Sequence, residues 1–197
     1  SAQVYSYLSI LSAQPAADEQ CCAPHHLFGY IDGVTPCSAA KWATDAKRII
    51  ADAHATGAIP LLVGGSGLYI RTLLDGIAPI PEVDPILRAE IRAMPVAQAY
   101  AALQTYDPAI AASLAPTDVS RITRALEVVK STGRSISAWR ATKTGGISAD
   151  ICLRPLLLLP PRDWLYDRCD KRFEWMMEQG AIDEVEALLA RNLSQDA

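Results

Sequence analysis

The sequence predicts an α/β protein, a parallel-sheet core interrupted by a mainly helical insertion domain. Three observations carry this. Two short apolar runs, Ile59 to Val63 and Arg154 to Leu159, have the length and continuity of strands buried on both faces. The first stops at Gly64-Gly-Ser-Gly67 and passes at once into a helical pattern, giving the strand, turn and helix order of a doubly wound sheet. Between the runs, Ala-rich helical stretches continue to about Trp139 without a convincing strand.

Composition fits one sizeable core and a smaller appendage: 197 residues, 50% hydrophobic and 20% charged. No apolar run approaches the roughly 20 residues of a membrane helix, and the first residues lack a basic-then-apolar leader pattern. The expectation is a soluble, cytoplasmic protein with no membrane partner. Cys21, Cys22, Cys37, Cys152 and Cys169 form no Cys-x-x-Cys pair, and adjacent Cys21 and Cys22 are poorly placed for a mutual disulfide, so all five read as reduced thiols. A net charge of −4 argues against a broadly basic nucleic-acid binder but leaves room for a local basic face.

In chain order, Ser1-Ala-Gln-Val-Tyr5 begins without Met and reads as a strand end passing into a loop, as if the chain starts inside a fold. Ser38 is placed to cap a helix running to His54, with Trp42, Ala46, Ile49, Ile50 and Ala53 on one face and Gly57 as its stop. Ile59 to Val63 follows as the first strand. After Gly76, Ile77-Ala-Pro-Ile-Pro-Glu-Val-Asp-Pro85 is a stiff connection into the helical insertion. The polar linker Arg140 to Ser148 leads to the second strand, ended by Pro160-Pro161, and one amphipathic helix is expected from Trp164 to about Leu193. These readings divide the chain into a core segment 1–80, a helical insertion 81–140 and a return to the core over 141–197.

Several residues invite a chemical role. Gly64, Gly65 and Gly67 would let backbone N–H groups approach an anion, with Ser66 adding a hydroxyl donor; a simple tight turn is the competing account. Arg121 and Arg124, at i,i+3, share a helix face, and Arg168 and Arg172, at i,i+4, lie just past the second strand, where guanidinium groups can hold phosphate in bidentate fashion. A salt-bridged surface stripe is the favoured account of the first pair and an equally simple one for the second, with Asp170 and Glu174 as its partners. His25 and His26 have no neighbouring ligand cluster and read as structural.

Taken in order, Ser1-Ala-Gln-Val-Tyr5, Pro24-His-His-Leu27, Ser38-Ala-Ala40, Leu62-Val-Gly-Gly-Ser-Gly-Leu-Tyr69, Arg121-Ile-Thr-Arg-Ala-Leu-Glu-Val128, Thr132-Gly-Arg134 and the segment from Arg168 through Gly180 to Val185 resemble the motifs of bacterial tRNA dimethylallyltransferases. The resemblance covers essentially the whole chain. It implies a P-loop NTPase-like parallel-sheet core, a helical insertion that grips the tRNA anticodon stem-loop, and transfer of the dimethylallyl group of dimethylallyl diphosphate to the exocyclic N6 amine of the adenosine beside the anticodon. Mg²⁺ is the implied cofactor, and a monomer is expected. Carried over position by position, Ser66 stands where threonine is usual, near the diphosphate bridge and the reacting amine. Gly64, Gly65, Gly67, Arg168 and Arg172 are expected, on the same resemblance, to bind diphosphate. Ser1, Ala2 and Gln3 match a motif that recognises the target adenine, and Ser120, Arg121, Ile122, Thr123 and Arg124, with Arg88, match tRNA contacts.

The same resemblance puts the general base and the loop Gly-x-x-x-x-Gly-Lys-Ser/Thr ahead of Ser1. Position 6 is Ser where arginine is common, and Leu8-Ser-Ile-Leu-Ser-Ala13 replaces a Gly-x-x-Ile-Gly-Thr-Ala-Lys pattern. These 197 residues are therefore expected to be a piece of a longer protein and inactive alone. Three other readings stay open: a prenyltransferase acting on free adenine nucleotide, a P-loop small-molecule kinase, and a non-catalytic tRNA-binding remnant.

Overall fold

The computed structural model describes residues 2–191 and 193. Its chain divides into two compact units, Ser1–Leu74 with Ile147–Ala197, and Asp75–Gly146. Among the described residues no helix is long and apolar enough to cross a membrane.

In the first unit, a 3-10 turn at Ala2–Val4 leads to Tyr5, which forms an isolated parallel bridge with Ile31. A four-residue helix α1 (Ala17–Gln20) precedes the long α2 (Ala39–Ala55). The Ser38 side chain accepts a hydrogen bond from Lys41 N and starts α2, and Gly57, at φ +74, closes it, as their residue types predict. Helix α3 (Gly67–Asp75) packs on α2 through Ala43, Ala46 and Leu73, with Leu27, Trp42, Ile50 and Ile147 around them. The edge of the Trp42 ring meets Tyr69 at 5.5 Å, and the Tyr69 hydroxyl donates to Cys37 O at 3.1 Å, fixing α3 to the loop ahead of α2.

The expected sheet strands do not form among the described residues. Ile59 to Val63 and Leu156 to Leu159 are unpaired and exposed; Ile59 is 85% and Leu159 87% accessible. An apolar run becomes a central strand only when neighbours supply hydrogen bonds to both its edges, and no described segment pairs with either run. The helix expected from Trp164 to Leu193 is in fact two, α9 (Arg162–Glu178) and α10 (Ala181–Leu189). Gly180 separates them at φ +91, a conformation that ends one helix and turns the chain before the next.

The second unit is helical, apart from two-residue strands β1 (Gly76–Ile77) and β2 (Thr144–Gly145) that pair antiparallel. Gly76 has φ +85, and a Cβ there would lie 2.7 Å from the Thr144 carbonyl carbon, so only glycine fits. Helices α4 (Pro85–Ala93), α5 (Val96–Tyr106), α6 (Pro108–Ser113), α7 (Val119–Thr132) and α8 (Ile136–Arg140) follow. Asp84 and Asp107 cap α4 and α6, each followed by proline at the first helical position. Helix α7 is central: capped by Asp118 and stopped by Gly133 at φ +66, it packs against α4, α5 and α8. Ile122, Ala125, Leu126 and Val129 repeat at helical spacing and join Ile91, Ala99, Leu103, Ala111 and Ile136 in the core.

Candidate functional site

In the first unit the Gly64–Gly67 turn is open. An added Cβ at Gly64, Gly65 or Gly67 would meet nothing within 4 Å, and Gly64 has φ +149. The Ser66 carbonyl accepts from Tyr69 N at 2.9 Å and Ile70 N at 3.1 Å, so Ser66 stands at the mouth of α3 with its side chain half-buried. Arg168 and Arg172 lie on the exposed α9. The Arg168 guanidinium sits 4.9 Å over the Trp164 ring, and among the described residues neither arginine pairs with a carboxylate. Asp170 and Glu174 are thus not their partners; the ion pair on this helix joins Lys171 to Asp167 at 2.8 Å.

At the start of the chain, Ser1 lies outside the described residues and Ala2 is exposed. The Gln3 side-chain NH₂ donates to Ala13 O at 2.6 Å, and the Gln3 backbone carbonyl accepts from Gln14 Nε2 at 3.0 Å and from Gly29 N at 2.8 Å. The following Ser9–Leu11 segment is held by Glu184 of α10, whose carboxylate accepts from Ser9 Oγ at 3.0 Å and from Ile10 N and Leu11 N, each at 2.9 Å. Burial pushes this carboxyl up, but the N–H groups of Leu11 and Ile10 and the Ser9 hydroxyl outweigh it, and the net pKa is lowered. The Tyr7 hydroxyl donates to Asp32 at 2.6 Å and is the main reason the Asp32 carboxyl is also lowered. Arg191 stacks 3.5 Å over the Tyr7 ring.

The second unit carries a cleft of about 480 Å³ lined by Arg92, Val119, Ser120, Thr123, Arg124 and Glu127. Of the expected tRNA-contacting stretch, Ser120 and Arg121 are exposed and Arg124 is half-buried. Ile122 is a correction: it is fully buried in the α7 core, and its side chain is unavailable to a partner. Thr123 donates its hydroxyl to Val119 O at 2.8 Å. Arg121 pairs with Asp118 at 3.5 Å, so the salt-bridged account holds for that residue. Arg88 on α4 is half-buried, and its Nε makes no hydrogen bond among the described residues. Arg92 lies outside the motifs, and Glu127 lies within one, 121–128, without a role of its own. The signal for them was the i,i+4 spacing of Arg88 and Arg92 and the i,i+3 spacing of Arg124 and Glu127.

His25 has a structural setting: its Nδ1 is 2.8 Å from Ala23 O, and its ring meets Phe28 edge-on at 5.8 Å. All five cysteines are free thiols. Among the described residues no group of three or more His, Cys, Asp or Glu side chains is arranged to hold a metal ion.

Comparison with known proteins gives these features a context. The profile of the IPP transferase family matches residues 3–197. A tRNA dimethylallyltransferase of Sphingopyxis alaskensis is 59% identical over 98% of this chain, and one of Novosphingobium aromaticivorans is 60% identical over 98%. This chain spans 63% and 69% of their respective lengths. Among solved structures, the tRNA isopentenylpyrophosphate transferase of Bacillus halodurans is 32% identical with a TM-score of 0.59, covering 99% of this chain and 61% of that one. A eukaryotic dimethylallyltransferase acting on tRNA is 26% identical with a TM-score of 0.78, covering 96% of this chain and 48% of that one. With the profile match extending over nearly its whole length and solved folds of the same kind overlying it, the chain belongs to the IPP transferase family.

Proposed function

We propose that the complete gene product carrying this sequence transfers the dimethylallyl group from dimethylallyl diphosphate to the exocyclic amine of an adenosine next to the tRNA anticodon. The observation that carries the reading is the 59% identity, over 98% of this chain, to a protein named tRNA dimethylallyltransferase. In the reaction the allylic C–O bond breaks, a C–N bond forms, the diphosphate leaves with the bonding electrons, and the amine gives up a proton. Leaving-group charge is what the site must stabilise. Arg168 and Arg172, free of carboxylate partners among the described residues, suit that task. Gly64, Gly65 and Gly67 let the backbone approach the diphosphate, and the Ser66 hydroxyl orients the bridge oxygen and the incoming amine. Ala2 and Gln3 lie toward the adenine, while Ser120, Arg121, Thr123, Arg124 and Arg88 meet the anticodon stem-loop. Ile122 anchors that stretch in the core.

The test is direct. The complete gene product is incubated with dimethylallyl diphosphate, Mg²⁺ and total tRNA, and the nucleosides are analysed by mass spectrometry. Dimethylallyl-adenosine in tRNA is the expected product. Its absence refutes the reading, and transfer to AMP in place of tRNA would assign the protein to free-nucleotide prenylation instead.

A further inference from the structure

Glu127 is a charged side chain in an apolar place. It sits on α7 between Leu126 and Val128, 2% exposed, in a stretch buried from Ala125 to Val129. Burying a carboxylate there costs more than burying leucine would, unless guanidinium groups compensate it. Two do. Glu127 Oε1 accepts from Arg92 Nε of α4 at 3.2 Å, and Oε2 lies 3.4 Å from Arg124 Nη1 of α7. A well-packed hydrophobic residue would serve stability as well or better, so the carboxylate is better explained by what it does to the arginines.

Both arginines line the 480 Å³ cleft, and their side chains are 62% and 43% accessible. Arg92 uses its Nε on Glu127 and not its two terminal NH₂ groups, and Arg124 uses one Nη1 donor. Two positive groups against one negative leave the cleft with a surplus positive charge. The exposed Ser120 adds a hydroxyl at its rim. Guanidinium groups fixed from beneath lose less conformational freedom on meeting a phosphate than free ones.

We propose that Glu127 is a positioning residue that holds Arg92 and Arg124 as a two-guanidinium fork for one backbone phosphate of the RNA, adding Arg92 of α4 to the RNA-binding face. The ligand class rests on the function proposed above; the fork itself rests on the geometry. The experiment uses the complete gene product and a synthetic anticodon stem-loop RNA, measuring Kd across a salt series together with KM for tRNA and kcat. Arg92→Ala, at an exposed position, raises Kd and KM about tenfold and lowers the slope of log Kd against log salt by about one, while kcat moves less than twofold. Arg92→Lys keeps the charge but not the bond to Glu127, and recovers the salt slope without recovering the full affinity. Glu127→Gln raises Kd and KM in the wild-type background but adds nothing further in Arg92→Ala/Arg124→Ala, with kcat moving less than twofold throughout, whereas a merely structural role would lower kcat along with binding. If the wild type modifies tRNA while Arg92→Ala leaves Kd, KM and salt slope unchanged, the fork is overturned and the proposed function stands. If the wild type binds the stem-loop with an Arg92-dependent slope but transfers nothing, the fork stands and the proposed function fails. A wild type that does not bind the stem-loop sinks both.

Discussion

Replacing Glu184 with Gln should release the Ser9–Leu11 segment, and the size of the effect follows from three bonds. The carboxylate takes the Ser9 hydroxyl at 3.0 Å and the Ile10 and Leu11 N–H groups at 2.9 Å each. Glutamine keeps one oxygen and turns the other into an NH₂ donor, so one backbone N–H faces a donor and the remaining bonds lose their charge. A hydrogen bond to a charged group contributes about 1.5–3 kcal/mol. Glu184 is half-buried, which places the loss toward the low end, about 2 kcal/mol, or about a 30-fold rise in the open population. Hydrogen exchange by mass spectrometry on the peptide from Leu8 to Ser12 reads this locally: about 30-fold faster exchange in Glu184→Gln at pH 7, with α5 unchanged. The pH dependence supplies a second arm. With its folded pKa held below the ordinary 4.5, Glu184 contributes fully above 4.5. As pH falls through the lower folded value the unfolded carboxyl is already protonated, and the contribution is lost. Wild-type protection of Ile10 and Leu11 therefore falls in that acid window, whereas Glu184→Gln has nothing to titrate there. Less than a threefold change at pH 7, or an identical acid profile in the two proteins, would refute the reasoning.

Three further outcomes are expected. Ser66→Ala should lower kcat for transfer by about ten- to a hundredfold while leaving tRNA affinity within a few-fold, because its hydroxyl is assigned to the reacting centre; equal losses in both would argue against that role. Arg168→Ala and Arg172→Ala should each weaken dimethylallyl diphosphate binding and slow transfer by about tenfold or more without changing the salt dependence of RNA binding, a split readable from steady-state kinetics with either substrate varied. Gly76→Ala should destabilise the protein by about 3 kcal/mol or more, since positive φ and overlap with Thr144 act together, whereas Gly133→Ala, with positive φ but open space, should cost about 1–2 kcal/mol. Thermal melting that ranks the two glycines in the opposite order would show that the overlap is relieved by backbone movement.

Local signals in the sequence carried the helices. Ser38, Asp84, Asp118 and Ser135 all start helices through their side chains, and Gly57 and Gly133 end them in the left-handed conformation, because capping depends only on a few neighbouring residues. The two apolar runs failed as strands for the complementary reason: β pairing is a property of two segments, and an apolar stretch cannot by itself report whether the second is present. The expectation of one helix from Trp164 to Leu193 passed over Gly180, whose left-handed φ is set by one residue and leaves no mark on a periodicity count. The site divides in the same way. The open glycine turn and the exposed pairs on α9 followed from spacing, but Arg92 and Glu127 lie 35 residues apart and meet only because α4 packs on α7.

The unpaired apolar runs have a colloidal consequence. Ile59 to Val63 and Leu156 to Leu159 offer solvent both bare backbone donors and acceptors and greasy side chains, the combination from which edge-to-edge stacking between molecules grows. Pro60, Pro155, Pro160 and Pro161 interrupt or bracket these runs, and each withholds an N–H that an incoming strand would need. For these 197 residues taken alone, prolines at those positions are expected to slow such stacking.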